Sequence, residues 1–238
     1  MQELLIITPV KDSIDHTIRT MEAVVQSELT VPHRYVVYND NSTPENTARL
    51  HTEAAHLGVE VVDLATLTDH PSPNYLFVLR RCRKEALAAN AGLLIVESDV
   101  TVQRDTLQKL YEGATARTDC GIAAAVTVDE EGKINYPYLY ARGKEGQDYD
   151  CKKHCSFCCS LLTPALLKAC DFDRLDDSQN WFDVTISHDS LAAGLHNYLF
   201  CSLPVLHRPH GSRPWKQLKY TNPIKYYWTK WTKGFDKI

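Results

Sequence analysis

Short apolar runs alternate with stretches of helical periodicity through the first hundred residues of the chain. Leu4 to Ile7, ending in Thr8 and Pro9, predicts a buried first strand whose exit loop is TPVKDS. Ile14, Ile18, Met21 and Val25 then fall on one helical face, with Asp12 or Ser13 in place to cap it. Tyr35 to Tyr38 predicts a second strand. The turn-rich NDNSTPENT follows, with Thr43 as a cap and Pro44 at the first helical position. Thr47, Leu50, Ala54 and Leu57 give that second helix its face, Gly58 closes it, and Val59 to Leu64 reads as the third strand. Beyond a polar loop from Ala65 to Asn74, the residues Tyr75, Leu79, Cys82, Ala86 and Ala89 mark a helix that leads into Leu93 to Val96. The repeated order of strand and helix predicts an α/β protein, a three-layer sandwich with helices on both faces of a mostly parallel sheet.

The second half is less regular. It predicts a helix over 105–116, a strand from Gly121 to Val128, a DEEG turn and a β-like stretch near Lys133 to Tyr140. Residues 141–155 are charged and carry glycines, and read as a surface loop. Ser156 to Thr163 reads as a strand, Thr163 with Pro164 starts a short helix, another helix begins near His188, and a last strand lies near Tyr198 to Leu203. From Pro214 onward the chain is rich in Lys, Tyr and Trp. It divides into a domain over 1–213 and an extension over 214–238.

The chemistry centres on Glu97, Ser98 and Asp99, which follow the apolar run Leu93 to Val96 directly. A strand buried on both faces would deliver two carboxylates at its carboxyl end, where ligands of open α/β sheets collect and where a hard divalent cation finds oxygen donors. A plain polar strand ending is the competing reading. Composition narrows the rest. With 238 residues and a formal net charge of −4, one large domain is expected and duplex nucleic acid is not an expected partner. No apolar run reaches membrane-spanning length and no secretory pattern opens the chain, so a cytoplasmic location is expected. The eight cysteines then read as reduced thiols. Cys151, Cys155, Cys158 and Cys159 with His154 have spacings compatible with zinc, but they form one run, and packing thiols are the favoured reading.

Taken in order, the strand running into TPVKDS, the strand ending in NDNST, the ESD strand end, LLTPALLKACDFD, the HD pair at His188 and Asp189, and the late LHRPHG resemble the family 2 glycosyltransferases with the GT-A fold, a Rossmann-like architecture. The resemblance covers roughly residues 4–213. It implies an inverting enzyme that moves a sugar from a nucleoside-diphosphate sugar to a hydroxyl acceptor on a glycan or lipid-linked glycan, as in polysaccharide biosynthesis, with Mg²⁺ or Mn²⁺ as cofactor.

By position, the resemblance assigns donor binding to Pro9, Asp40, Arg81 and Glu97, metal contact to Asp99 and His207 with His210 less favoured, and the catalytic base to Asp189. Should Asp189 be only a helix-start acid, the next candidates are Asp183, Asp177 and Asp176. The chain also departs from the family pattern. Asn39 replaces an acid, and Glu97 is one methylene longer than the usual aspartate, which suits contact through water or a ribose hydroxyl. Arg81, Cys82, Arg83 and Lys84 stand where many relatives have Arg-Asn and a glycine. The rival readings are a nucleotidyltransferase acting on a sugar phosphate, against which the absence of a glycine-rich phosphate loop with lysine counts, and a non-catalytic glycan-binding or assembly protein. The extension interleaves Trp215, Tyr220, Tyr226, Tyr227, Trp228 and Trp231 with lysines, which suits an acceptor, another subunit or a membrane surface reached from its inner face. A packed tail covering the sheet edge is the plainer alternative.

Overall fold

A computed structural model describes residues 1–176, 181–209, 218 and 222–232. The order is β1 (Leu4–Val10), α1 (Ile14–Val25), β2 (His33–Asn39), α2 (Pro44–Leu57), β3 (Glu60–Asp63), α3 (Tyr75–Ala89), β4 (Gly92–Val96), β5 (Val100–Thr101), α4 (Thr106–Thr115), β6 (Cys120–Val128), β7 (Tyr149–Asp150), β8 (Cys159–Leu162), α5 (Pro164–Ala169), α6 (Phe182–Ala192), β9 (His196–His207) and α7 (Pro223–Thr232). The strands form one sheet in the order β3-β2-β1-β4-β8-β6-β9-β5, with β7 also paired to β9. Among the described residues, β1, β2, β3, β4, β6 and β9 share one direction, and the short β5, β7 and β8 oppose it. The sheet is mostly parallel, as the alternation of elements predicts.

Side-chain alternation divides the core into two layers. Leu5 and Ile7 of β1 with Leu93 and Ile95 of β4 face Leu79 and Cys82 of α3 and Leu166 of α5. Leu4, Ile6, Leu94 and Val96 face the opposite way, toward Leu107 and Leu110 of α4. Ile14 and Met21 of α1 close the sheet edge with Leu50 and Ala54 of α2. Thr43 caps α2 through its hydroxyl, Pro44 opens the helix, and Gly58 ends it in the left-handed conformation, all as read from the sequence.

Several expectations are corrected. β1 runs on through Thr8 and Pro9 to Val10. Its pairing with β4 stops at Ile7, so Pro9 sits where only β2 flanks the strand and its missing N–H leaves no ladder bond broken. Asp12 does not cap α1; it accepts from the Thr43 amide at 2.7 Å and Asn46 Nδ2 at 3.0 Å, joining the loops that follow β1 and β2. Ser13 occupies the cap position without a side-chain capping bond. Val25 and Ala89 are exposed, and Val24 takes the inward place on α1. The third strand is the shorter Glu60–Asp63.

The stretch 133–140 is not a strand. It contributes one bridge, from Ile134 to Val128, and its end belongs to a 3-10 turn at Leu139–Ala141. The loop over 141–155 is in part internal: Tyr149 and Asp150 pair with β9, and Cys151 and Cys155 are buried in the α3 layer. Most consequential is α6, which begins at Phe182 and not near His188. Phe182, Val184 and Ile186 are all buried, and their spacing of two conceals helical periodicity.

Of α7, Tyr226 is buried, while Ile224, Tyr227, Trp228 and Trp231 are 85, 59, 66 and 78% exposed. His210 and most of the stretch from Pro214 to Thr221 lie outside the described residues. Among the described residues no helix is long and apolar enough to cross a membrane.

Candidate active site

The sheet brings its polar strand ends to one place. A cavity of about 290 Å³ opens at the carboxyl ends of β1, β2 and β4, lined by Pro9, Lys11, Asp40, Asn74, Tyr75, Glu97, Ser98 and Asp99 among others. Four of the residues expected from the sequence, Pro9, Asp40, Glu97 and Asp99, therefore share one wall. The reason is register: β1 pairs in parallel with both β2 and β4, so their exits align.

Each acid has its own surroundings. Asp40 accepts from the Ser72 hydroxyl at 2.7 Å, the Asn74 amide at 2.8 Å and Asn74 Nδ2 at 2.7 Å, so it anchors the loop that starts α3 and forms part of the cavity wall. Its neighbour Asn39 donates to Asp63 Oδ1 at 2.7 Å and to the Thr47 hydroxyl at 3.0 Å. An amide there knits β2 to β3 and α2, a donor role closed to an ionised acid. Glu97 is half-buried and Asp99 buried. Burial, reinforced by Asp99 and opposed by His207, pushes the Glu97 carboxyl up to about 7.

His207 reaches the same point from the far end of β9. β5 pairs antiparallel with β9, setting Val100 opposite His207, and the Arg208 amide donates to the Asp99 carbonyl at 3.0 Å. The ring is buried, with Nε2 at 3.5 Å from Asp99 Oδ2 and Nδ1 at 2.7 Å from the Tyr136 carbonyl. Burial alone would lower its pKa. The hydrogen bond and charge of Asp99, with Glu97, outweigh that and raise it.

Tyr75 and Cys158 join this group without having been singled out for it in the sequence, and Asp183, the first alternative to Asp189 as the base, joins it too. The Tyr75 hydroxyl is buried and makes no hydrogen bond among the described residues, and burial beside Glu97 and Asp183 raises its pKa well above the ordinary value. Asp183 lies in the first turn of α6, and its charge adds to the raised pKa of Glu97. Cys158 is placed by β8, the antiparallel strand beside β4, and its Sγ is 3.4 Å from Glu97 Oε2. From the sequence, Tyr75 reads only as a helix-face residue and Cys158 as a packing thiol.

Two expected residues lie apart. Arg81 lines a different cavity, on the outer side of α3, with Arg34, Arg80 and Lys84. The inner faces of that cationic run serve the fold: Arg80 donates to the carbonyls of Phe172, Asp173 and Leu175, and Arg83 to that of Leu167. Asp189, expected at a helix start, sits instead in the last turns of α6, where it is ion-paired to Arg174 at 3.0 Å. It follows Asp183 by six residues, about 9 Å along the axis at the usual rise.

The donor set suits a divalent cation. Three acids with one imidazole leave an excess of buried negative charge, and among the described residues Glu97, Cys158 and His207 each offer one donor atom within 4.8 Å of the others. The run Cys151 to Cys159 does not form one site: Cys151 and Cys155 lie in the α3 layer of the core, Cys158 and Cys159 in the α4 layer.

No family model and no curated protein sequence matches the chain, whereas solved structures do. The mannosyltransferase PcManGT from Pyrobaculum calidifontis, in complex with GDP-Man and Mn²⁺, is similar over 95% of this chain and 63% of its own, with a TM-score of 0.63 and 11% identity. Residues 1–349 of S. aureus TarS match over 86% of this chain and 57% of that one, with a TM-score of 0.59 and 14% identity. The same region of TarS in complex with UDP-GlcNAc matches over 87% and 59%, with a TM-score of 0.59 and 13% identity. The chain thus spans less than two thirds of the length of these structures and has their fold, of the GT-A type.

The raised pKa of Glu97 sets a pH dependence for the cation-free protein. A carboxyl near 7 in the fold and near 4.3 when unfolded binds its proton more tightly in the native state. The favourable contribution is intact below about pH 4 and is lost as pH rises through that folded value. In chelator, Glu97→Gln should therefore raise the melting temperature at pH 8, with the gain shrinking toward pH 4, at about 2–4 °C per kcal/mol for this size of domain. Thermal unfolding across that range is the measurement. A difference between variant and parent that does not vary with pH would overturn the assignment.

Proposed function

We propose that the protein is a divalent-cation-dependent, inverting glycosyltransferase that takes its sugar from a nucleoside-diphosphate donor and passes it to a hydroxyl of a glycan or lipid-linked glycan. The observation that carries this reading is the shared cavity of Asp40, Glu97 and Asp99, with His207 at 3.5 Å from Asp99. The likeness to structures holding GDP-Man with Mn²⁺ and UDP-GlcNAc supports a donor of this class.

Pro9 and the loop after it would border the base, and the wall anchored by Asp40 would receive the base or ribose. Asp99 and His207 would hold Mg²⁺ or Mn²⁺, with Glu97 beside them. A divalent ion supplies neutralisation of the leaving diphosphate. The Tyr75 hydroxyl is placed to donate to a donor oxygen.

Proton removal from the acceptor is assigned to Asp183. A base must reach the reacting centre, and Asp183 is the acid of α6 whose field is felt at Glu97 and Tyr75, whereas Asp189 is turned to Arg174. As the new glycosidic bond forms on one face of the anomeric carbon, the diphosphate leaves from the other and the acceptor proton passes to Asp183.

Donor binding is the first test. Calorimetric titration with GDP, UDP and their sugars should show affinity that requires Mn²⁺ or Mg²⁺ and that drops at least tenfold in Asp99→Ala, consistent with loss of a direct cation ligand. Equal affinity in chelator would sink the cation assignment, and cation-dependent binding without hydrolysis or transfer would favour the non-catalytic rival.

The base is tested by a pair of variants. Asp183→Asn should keep donor affinity and lose about a hundredfold to ten-thousandfold in transfer, the usual contribution of a positioned base. Asp189→Asn should stay within about threefold of the parent, well short of that loss. The reverse pattern would return the role to Asp189.

Acceptor access is assigned to an anionic membrane surface through the extension. Ile224, Tyr227, Trp228 and Trp231 recur at intervals of three and four residues, so α7 exposes one apolar stripe. No Asp or Glu occurs from Ser190 to Phe235, and Lys225 and Lys230 lie on the same helix. Aromatic residues with lysines suit a headgroup layer. Sedimentation with phosphatidylcholine vesicles, with and without phosphatidylserine, should show binding that needs the anionic lipid and falls more than about tenfold in the double variant Trp228→Ser, Trp231→Ser, given roughly 1.5–3 kcal/mol per buried large apolar side chain. Vesicle binding that is absent, or unaltered in the variant, would leave α7 to another partner.

A further inference from the structure

The cation site contains a sulfur. The Glu97 amide donates to the Cys158 carbonyl at 2.9 Å, continuing the antiparallel pairing of β4 with β8, and this turns the two side chains to the same point. Cys158 Sγ lies 3.4 Å from Glu97 Oε2 and 4.0 Å from His207 Nε2, and the thiol is 3% exposed. Sγ, a Glu97 carboxylate oxygen and a His207 ring nitrogen all lie within 4.8 Å of one another, so the sulfur stands among the donor atoms of the proposed cation site.

The imidazole is already oriented for ligation. The Tyr136 carbonyl can only accept, so His207 Nδ1 carries the hydrogen of that 2.7 Å contact and the lone pair of the neutral ring lies on Nε2, toward Cys158 and Asp99. A ring nitrogen fixed by a backbone carbonyl on its far side is the usual support of a metal-binding histidine.

We propose that Cys158 is a thiolate ligand of this site, beside His207 and the carboxylates, so that its preferred occupant is a borderline-soft dication such as Zn²⁺ or Co²⁺, with Mn²⁺ weaker and Mg²⁺ weakest. This rests on the cation reading given under the proposed function. Magnesium demands six oxygens in octahedral array and cannot use sulfur, whereas Zn²⁺ and Co²⁺ accept sulfur, imidazole nitrogen and carboxylate together. On binding, the sulfur–metal bond forms as the S–H bond breaks; that proton, and any held by His207 Nε2 and Glu97 in the cation-free site, leave to the buffer, and no electron is transferred.

Cobalt alone is the probe, because a thiolate bound to Co²⁺ gives an intense charge-transfer band in the near ultraviolet. The full chain, stripped with chelator and reduced, should develop that band at one equivalent and keep it against a thousandfold excess of Mg²⁺. Cys158→Ser should lose the band and bind Co²⁺ at least about tenfold more weakly by calorimetry, since even outer partners of metal ligands cost that much. Cys159→Ser, which alters the neighbouring packing thiol, should keep both. Cobalt binding without the band, or with the band intact in Cys158→Ser, would overturn the sulfur assignment and leave the cation reading standing. A band lost instead in Cys151→Ser would also overturn it, because it would place the metal at the other thiol pair. Failure of every cation to bind the parent would bring down both readings. Should Cys158→Ser not fold, the parent spectrum decides, since a parent without the band refutes the proposal.

Discussion

Burying Glu97 beside Asp99 is the constraint on which the rest of the arrangement depends. Two carboxylates at the end of one strand repel each other and lose hydration together, and either effect alone favours the neutral acid. The fold meets this with one cation of its own, His207, whose pKa the two acids raise and whose charge in turn holds down the rise at Glu97 that burial and Asp99 cause. Once Glu97, Asp99 and Asp183 are all ionised, one imidazolium does not balance them, and the proposed cation would supply the missing positive charge.

Bringing those groups together requires strands that break the parallel pattern. β1, β2 and β4 deliver the cavity wall by parallel register, and β9, which runs the same way, ends in His207 beside β5, but Cys158 comes just before the antiparallel β8. A purely parallel sheet would have no strand starting at that edge, and so nothing to set the thiol beside Glu97. The antiparallel strands are short because their task is local: each needs only enough ladder to fix one residue opposite Glu97 or Val100.

This division also decides what was legible in the sequence. From Leu4 to Val96, periodicity, the Thr43 cap, Pro44 and Gly58 state the elements almost directly, and the shared wall of Pro9, Asp40, Glu97 and Asp99 follows from strand ends alone. The later half depends on contacts distant in sequence. Phe182, Val184 and Ile186 are all buried because α6 is enclosed by the sheet and by the loop holding Cys155, so one-sided periodicity is lost and the helix start was misplaced. Cys151 and Cys155 looked like part of a charged surface loop because the strand partner that buries them, β9, lies more than forty residues on. Arg81 was read as a donor contact from its position in the resemblance, but it lines a cavity on the outer side of α3, while the neighbouring Arg80 is held by the carbonyls of Phe172 and Leu175, contacts that no local pattern reveals.

The departures from the family pattern then have physical content. Asn39 supplies the N–H donor that ties β2 to Asp63, which an ionised acid would lack. Glu97 carries its carboxylate one methylene further than aspartate would, and at that reach it meets Cys158 at 3.4 Å while Asp99 meets His207 at 3.5 Å. The longer acid and the thiol are thus linked: a shorter side chain at 97 would leave the sulfur without its carboxylate partner, and an ordinary apolar residue at 158 would leave the longer acid against hydrocarbon. What the chain shares with its structural neighbours at 11–14% identity is the fold.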